Sequence, residues 1–407
     1  MSNRPSTLRG ILIAVASGAF LVASLLFGAA VGGAQAPQPT SGSLLTQGLK
    51  GSIGSTIGPD GGLYVPEGAI GKISRVDPVT GATTVFASGL PPAPDFGGAF
   101  DVAFVGNTAY ALVSVVEPAA ASGIYRMDSP TSFTLITNLG AYSLAHPPPY
   151  PLEVPTGVQY ALQPISGGFL VSDGHHNRIL KVTMAGDISE LIVFGNVVPT
   201  GLAVAGTKVY VSQVGPIPYA PSTGKVVSFE LASPTAVDVA SGFSAMVDVE
   251  IGPGGVVYAL SQGDSPGIVE PGSPAKPNSG KLLRLNANGT FSVVVDRLNL
   301  PTSLDFIGDS AFIVTLNGEV WKINGVSQLQ QIPATATPRA TATRTSTPTS
   351  VPPTAVATSV PAAPRPPNTG SGMGEGGDGS EFWLFLGAAL VLIASGSGIL
   401  VRSARKR

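Results

Sequence analysis

Asp101 and Asp248 are the residues of this chain best placed to do chemistry. Each opens a short strand-like segment, Asp101-Val102-Ala103-Phe104 and Asp248-Val249-Glu250-Ile251, of a kind that recurs along the sequence. Gathered round one axis, such segments would bring their first residues to a central channel. Glu67, Asp173, His175, His176, Gln213, Gln262, Asp264 and Asn317 fall at the same end of the pattern. An oxygen-rich set of this kind suits a hard divalent cation such as calcium, which makes Glu67, Asp101 and Asp248 the candidate metal ligands. Asp173 and Asp264 read instead as turn residues, because aspartate stabilises turns through its own side chain. His175 and His176 are adjacent and would point to opposite sides of a strand, a poor arrangement for two ligands of one zinc ion. Asn288-Gly289-Thr290 matches a glycosylation sequon and reads as a plain turn. No Ser–His–Asp arrangement and no Gly-rich phosphate loop is present. The chain has no cysteine, which excludes disulfides, thiolate metal sites and cysteine nucleophiles. A formal net charge of -2 gives no case for a nucleic-acid partner.

The elements that must position these residues are short strands. Residues 168–192 read as three in a row, separated by the turns Asp173-Gly174-His175-His176-Asn177 and Ala185-Gly186-Asp187. With Gly157-Val158-Gln159-Tyr160 in front, they make four antiparallel strands, one blade of a propeller. The inner strand of the unit recurs as Gly54-Ser55-Thr56-Ile57, Asp101-Val102-Ala103-Phe104, Gly201-Leu202-Ala203-Val204, Asp248-Val249-Glu250-Ile251 and Ser303-Leu304-Asp305-Phe306. Second strands such as Leu63-Tyr64-Val65 and third strands such as Ile73-Ser74-Arg75-Val76 follow each one. Six units spaced roughly 40 to 60 residues apart predict an all-β, six-bladed β-propeller over residues 43–331. The segment Ser43-Leu44-Leu45-Thr46-Gln47-Gly48-Leu49 resembles the outer strand Val85-Phe86-Ala87-Ser88-Gly89-Leu90 and precedes the first inner strand. It is expected to complete the last blade and so close the ring.

Both ends of the chain read as targeting segments. Residues 1–36 have the layout of a secretory signal peptide: Arg4 and Arg9, a long apolar run, then Ala34-Gln35-Ala36 as a cleavage pattern; an uncleaved N-terminal anchor is the other reading. Residues 37–42 form a linker. Residues 332–365 are rich in Thr, Ala and Pro and read as an extended stalk. Residues 366–407 contain Pro366-Pro367-Asn368-Thr369-Gly370, an apolar stretch at 382–401 long enough to be a transmembrane helix, and a basic tail. This layout resembles a cell-wall sorting signal, in which Pro367, Asn368, Thr369 and Gly370 match the motif read by a sortase and Pro366 stands where leucine is expected. Simple membrane anchoring by the C-terminal helix is the alternative. Either places the propeller outside the cell, at its surface.

The predicted loops are unequal on the two faces of the propeller. Connections at 59–62, 106–108, 205–207 and 253–255 are tight, whereas those at 114–123, 140–154, 213–224 and 261–280 are long and share the face of the candidate site. Function tends to sit on loops elaborated on one side of a rigid scaffold. The expectation is an extracellular binding module for a carbohydrate or another envelope component. A metal-dependent hydrolase or lactonase using the same face is the alternative.

Two resemblances accompany this reading. Residues 169–182 look like an NHL-type repeat, with a strand ending in Asp-Gly and leading to an Asn-Arg-Ile strand. Residues 43–323 resemble the ScyD/ScyE family of secreted bacterial propellers through Leu63-Tyr64-Val65-Pro66-Glu67, Leu139-Gly140-Ala141-Tyr142, Val154-Pro155-Thr156-Gly157 and Pro199-Thr200-Gly201-Leu202. That family resemblance implies a fold and a location and carries no catalytic residues. Gluconolactonase-like propellers are more distantly similar; their Glu, Asn and Asp metal set would map onto Glu67 and Asp248, with no matching Asn.

Overall fold

The computed structural model describes residues 39–150, 154–216, 222–267, 273–329 and 332–333. The segments read as signal peptide, most of the stalk, the Pro367-Asn368-Thr369-Gly370 motif and the apolar stretch 382–401 lie outside these residues. Among the described residues no helix is long and apolar enough to cross a membrane.

Strand β1 (Ser43–Gln47) enters first. Blade I follows as β2 (Thr56–Ile57), β3 (Leu63–Glu67), β4 (Lys72–Val76) and β5 (Thr83–Ser88). Blade II is β6 (Gly98–Val105), β7 (Thr108–Ser114), β8 (Gly123–Ser129) and β9 (Ser132–Asn138), after which comes helix α1 (Leu139–Ala145). Blade III is β10 (Gln159–Ile165), β11 (Gly168–Asp173), β12 (Arg178–Thr183) and β13 (Ile188–Val193). Blade IV is β14 (Pro199–Ala205), β15 (Lys208–Gln213), β16 (Gly224–Glu230) and β17 (Ser233–Phe243). Blade V is β18 (Met246–Ile251), β19 (Val257–Ser261), β20 (Gly280–Leu285) and β21 (Phe291–Leu298). Blade VI is β22 (Pro301–Ile307), β23 (Ser310–Thr315) and β24 (Glu319–Asn324), and a last short strand is β25 (Ile332–Pro333). Each blade is one antiparallel sheet, so the expected six-bladed propeller is the observed architecture.

The second strands are buried on both faces because each blade is sandwiched between two others. Strand β11, Gly168-Phe169-Leu170-Val171-Ser172-Asp173, is buried at every position. The outer strands β5, β13 and β17 face solvent on at least one side and are correspondingly rich in Thr, Ser and charged residues. The hydrophobic core is divided among the junctions. Six buried clusters are found, one between each pair of neighbouring blades, from blades I and II round to blades VI and I. In the closing cluster Leu63, Val65 and Val76 of blade I pack with Phe312, Val314 and Val320 of blade VI, together with Leu49. The tight hairpins opposite the long loops turn on glycines such as Gly106 and Gly206, at φ 59° and 64°, a conformation that a side chain disfavours.

Ring closure is made by β1, which pairs antiparallel with β24 through Ser43–Lys322, Leu44–Trp321, Thr46–Val320 and Gln47–Glu319. The N-terminal segment therefore supplies the outer strand that blade VI lacks. The chain then crosses back at its other end: β25 adds to the outer edge of β21 in blade V, opposite Ser292 and Val293. Thr40 also bonds the backbone of Asp296 on β21, so Thr40 and β25, which flank the propeller in sequence, both strap the junction of blades V and VI.

One inner strand departs from expectation. Gly157-Val158-Gln159-Tyr160 was expected to line the channel in blade III, but Gly157 is in a turn at φ 71° and the ladder register shifts between Gln159 and Leu162. Counting back from the hairpin pairs Ile165–Gly168 and Val105–Thr108, the counterparts of Asp101–Phe104 are Ala161, Leu162, Gln163 and Pro164. The bulge inserts residues ahead of the strand, and a Gly-Val pair that echoes Gly201-Leu202 falls outside it.

Candidate functional site: an acidic cavity on the propeller axis

The inner strands enclose a cavity of about 430 Å³ on the axis. By strand register its wall is built in layers, one residue from each blade. The layer nearest the tight hairpins is Ile57, Phe104, Pro164, Val204, Ile251 and Phe306, an apolar floor contributed by all six blades. The layer above it carries Thr56, Ala103, Gln163, Glu250 and Asp305 on the wall, while Ala203 at the matching register packs between blades IV and V. Asp101 and Asp248 stand two register positions further up, on opposite sides of the ring in blades II and V. Gln262, Ser265, Pro266, Ser273 and Ala275, from the long connection between β19 and β20, contribute wall at the long-loop end. Among the described residues lining the cavity there are four carboxyl groups and no Lys, Arg or His.

The structure brings Asp101 and Asp248 into one cavity and gives both the same task. An inner strand is the free edge of its blade, so the N–H groups that face the axis have no ladder partner. Asp101 Oδ2 accepts the N–H of Leu162 in the next blade at 2.8 Å, and its Oδ1 accepts its neighbour Val102 N–H at 2.8 Å. Asp248 repeats this on Leu304 at 2.8 Å and Val249 at 2.9 Å. Asp305 makes the third such stitch, to blade I: it accepts the Ile57 N–H, and Ser55 Oγ lies 2.5 Å from Asp305 Oδ2 and 2.9 Å from Ser303 Oγ. Ser303 in turn hydrogen-bonds Asp248. Three of the six junctions are thus joined at the axis by carboxylates.

These acids sit buried against the cavity wall, so they remain largely desolvated. Burial raises Asp248 to about 7, against the N–H groups of Leu304 and Val249 and assisted by the charge of Asp305. Burial raises Asp305 to about 6. Asp101 is pushed well above the usual carboxylate range by burial, with the Leu162 and Val102 N–H groups pulling the other way. Glu250 is also pushed well up, by burial first and then by the charges of Asp248 and Asp305.

The third candidate metal ligand is elsewhere. Glu67 is 2 % exposed and is not part of the cavity wall. Its carboxylate accepts Ser74 Oγ at 2.5 Å and the Lys50 N–H at 3.0 Å and pairs with Lys72 at 2.8 Å, which fastens the β3–β4 hairpin to the segment before blade I. Among the described residues no three acidic or imidazole side chains gather closely enough to hold a metal ion.

Asp173, expected as a turn residue, is a fully buried hub. It accepts Ser143 Oγ, Gln159 Nε2 and Arg178 Nε, each at 3.0 Å, and so ties α1, β10 and β12 together. His176 is 1 % exposed, with Nε2 3.1 Å from the Pro155 carbonyl and Nδ1 3.7 Å from Asp173. Burial lowers the neighbouring His175 to about 4. Gln213 is buried at the end of β15, and Asp264 and Asn317 are exposed loop residues, Asp264 pairing with Lys281 at 3.1 Å. Two cavity acids were not expected, Glu250 and Asp305. A signal for the first was present: in Asp248-Val249-Glu250 alternate residues of a strand face one way, so a carboxylate at the first position implies one at the third.

No protein-family model matches the chain, and no curated protein matches its sequence. In three dimensions it is similar to a gluconolactonase from Xanthomonas campestris, at 13 % identity over 69 % of this chain and 88 % of that one, with a TM-score of 0.49. It is similar to virginiamycin B lyase from Staphylococcus aureus, at 13 % identity over 70 % of this chain and 98 % of that one, TM-score 0.44. A third neighbour is the PQQ-bound aldose sugar dehydrogenase from Streptomyces coelicolor, at 13 % identity over 70 % and 98 %, TM-score 0.47. These likenesses concern the propeller, and none brings an activity to this chain.

Proposed function

We propose that the propeller is an extracellular binding module that takes a small carbohydrate or another hydroxyl-rich envelope component into its axial cavity. The observation that carries this reading is the wall itself: carboxyl, hydroxyl and amide groups in layers above an apolar floor, with no basic side chain among the described lining residues. Preformed concave sites with few convergent polar groups on apolar walls are the usual form of small-ligand sites. Placement at the cell surface, by the 382–401 helix or by sortase attachment at Thr369, is supported by the sequence alone, as is kinship with the ScyD/ScyE propellers.

A calcium-dependent hydrolase or lactonase in the same cavity is the second reading, favoured by the four shared carboxyl groups. Against it, Asp101, Asp248 and Asp305 already accept backbone or hydroxyl donors, and Glu67 is engaged elsewhere. The labelled full chain applied to an array of neutral, amino and acidic bacterial saccharides should bind a subset of spots, unaffected by chelator. An array with no bound spot removes the carbohydrate reading. Binding or lactone turnover that is lost in chelator and restored by calcium would replace it with the metal-dependent one.

A further inference from the structure

We infer that Glu250 is the residue that reads the ligand in the axial cavity, and that it does so by bracketing a hydroxyl of a neutral, ring-shaped polyol lying on the apolar floor. This inference rests on the binding reading given above and names its specificity determinant.

The four cavity acids are not equivalent. Asp101 and Asp248 each have both oxygens occupied by backbone N–H groups, and Asp305 is held by Ser55 and Ile57. These three hold the ring together, and turning them to a ligand would free the inner-strand donors they satisfy. Glu250, among the described residues, receives a single hydrogen bond, from the Ile251 N–H to Oε2 at 3.2 Å. Its side chain is longer by one methylene than those of the aspartates and retains accessible surface on the cavity side. Of the four acids it accepts the fewest hydrogen bonds, with only one oxygen engaged.

Its surroundings select the shape of the ligand. Glu250 shares its layer with Thr56, Gln163 and Asp305, a polar belt immediately above the floor of Ile57, Phe104, Pro164, Val204, Ile251 and Phe306. A pyranose-like ring has the matching anatomy, an apolar face of C–H groups and a perimeter of hydroxyls. Laid on the floor, it would bring its perimeter to the belt. Burial of Glu250, followed by the charges of Asp248 and Asp305, favours its neutral carboxylic acid form. In that form it offers an O–H donor and a C=O acceptor together, which complements a hydroxyl and gives no advantage to an ammonium group.

The test uses saccharides bound by the unmodified chain on the array, titrated against two variants. Glu250→Gln keeps a donor and an acceptor in nearly the same shape, and its affinity should stay within roughly threefold. Glu250→Leu removes both and should weaken binding by about tenfold or more, the range for leaving a hydrogen-bonding ligand group unmatched. Both variants should melt close to the unmodified chain, since Glu250 carries no inter-blade stitch. Equal affinity for Glu250→Leu overturns the assignment while leaving the binding module intact. Preference for amino saccharides that Glu250→Gln abolishes overturns the neutral-polyol part, because it requires an ionised Glu250. An unmodified chain that binds no saccharide overturns the binding reading and this inference with it.

Discussion

Deleting residues 37–49 is expected to lower the stability of the propeller by about 4–6 kcal/mol and to increase its self-association. The deletion removes β1 from β24, including Leu45 and the buried Leu49, both part of the cluster that joins blades VI and I. Burying one leucine contributes roughly 1.5–3 kcal/mol, and each lost ladder hydrogen bond adds about 1 kcal/mol. The exposed edge of β24, Glu319-Val320-Trp321-Lys322-Ile323-Asn324, would then lack its partner and present free backbone groups to another chain. Calorimetry and sedimentation would read both effects. A truncated chain that melts with the intact one and self-associates no more than it does would show that β1 contributes nothing to closure.

The second large effect is on pH. A carboxyl group raised in the folded state keeps a proton that the unfolded chain releases, so stability is present at low pH and lost as pH rises through the folded value. For Asp248, from 3.8 to about 7, and Asp305, from 3.8 to about 6, the loss falls between about pH 4 and 7; the further-raised Asp101 and Glu250 extend it upward. His175 acts in the opposite sense. Lowered from 6.5 to about 4, it contributes stability that is present above pH 6.5 and lost as pH falls toward 4. The raised acids outnumber the lowered imidazole over this window, so the melting temperature should be highest near pH 4 and fall as pH rises toward 7. Between pH 4 and 7 the net loss should be roughly 2 kcal/mol, discounted for the water that the cavity admits. Asp248→Asn should make this fall shallower. A melting temperature that climbs from pH 4 to 7 would contradict the desolvated state of these acids.

Much of the fold was legible because a propeller repeats its grammar. The Tyr64, Tyr110, Tyr210 and Tyr258 second strands and their partners recur at blade spacing, and the likeness of Ser43–Gln47 to β5 was enough to identify the closing strand. What could not be read was set by local insertions. The bulge at Gln159–Leu162 hid the true inner strand of blade III, because the residues that echo the other blades sit in the turn ahead of it. The role of Asp173 depended on α1, whose Ser143 reaches it from a stretch expected as a loop; Asn138 starts that helix by accepting the Ala141 N–H at 2.7 Å. Glu67 looked like its fellow acids by type and by position at a strand end. Lys72 and Ser74, five and seven residues on, form its pocket, and a hairpin contact of that kind is visible in sequence only once the strand register is known. Asp101 and Asp248 were placed correctly at the channel, but the work they do there, accepting the N–H groups of Leu162 and Leu304, depends on inter-blade geometry that no local pattern encodes.

The central claim is that the axial cavity holds the ligand, and filling the cavity tests it most directly. Ala161 lies in the wall at the layer of Asp101 and Asp248 and shows part of its surface to the lumen. Ala161→Phe would occupy that space from blade III without altering any carboxyl group. Titrating a saccharide captured on the array against the full chain and against this variant should show binding lost by at least about tenfold at an unchanged fold, as judged by circular dichroism. Undiminished binding by a folded Ala161→Phe chain would place the ligand outside the cavity and contradict the account.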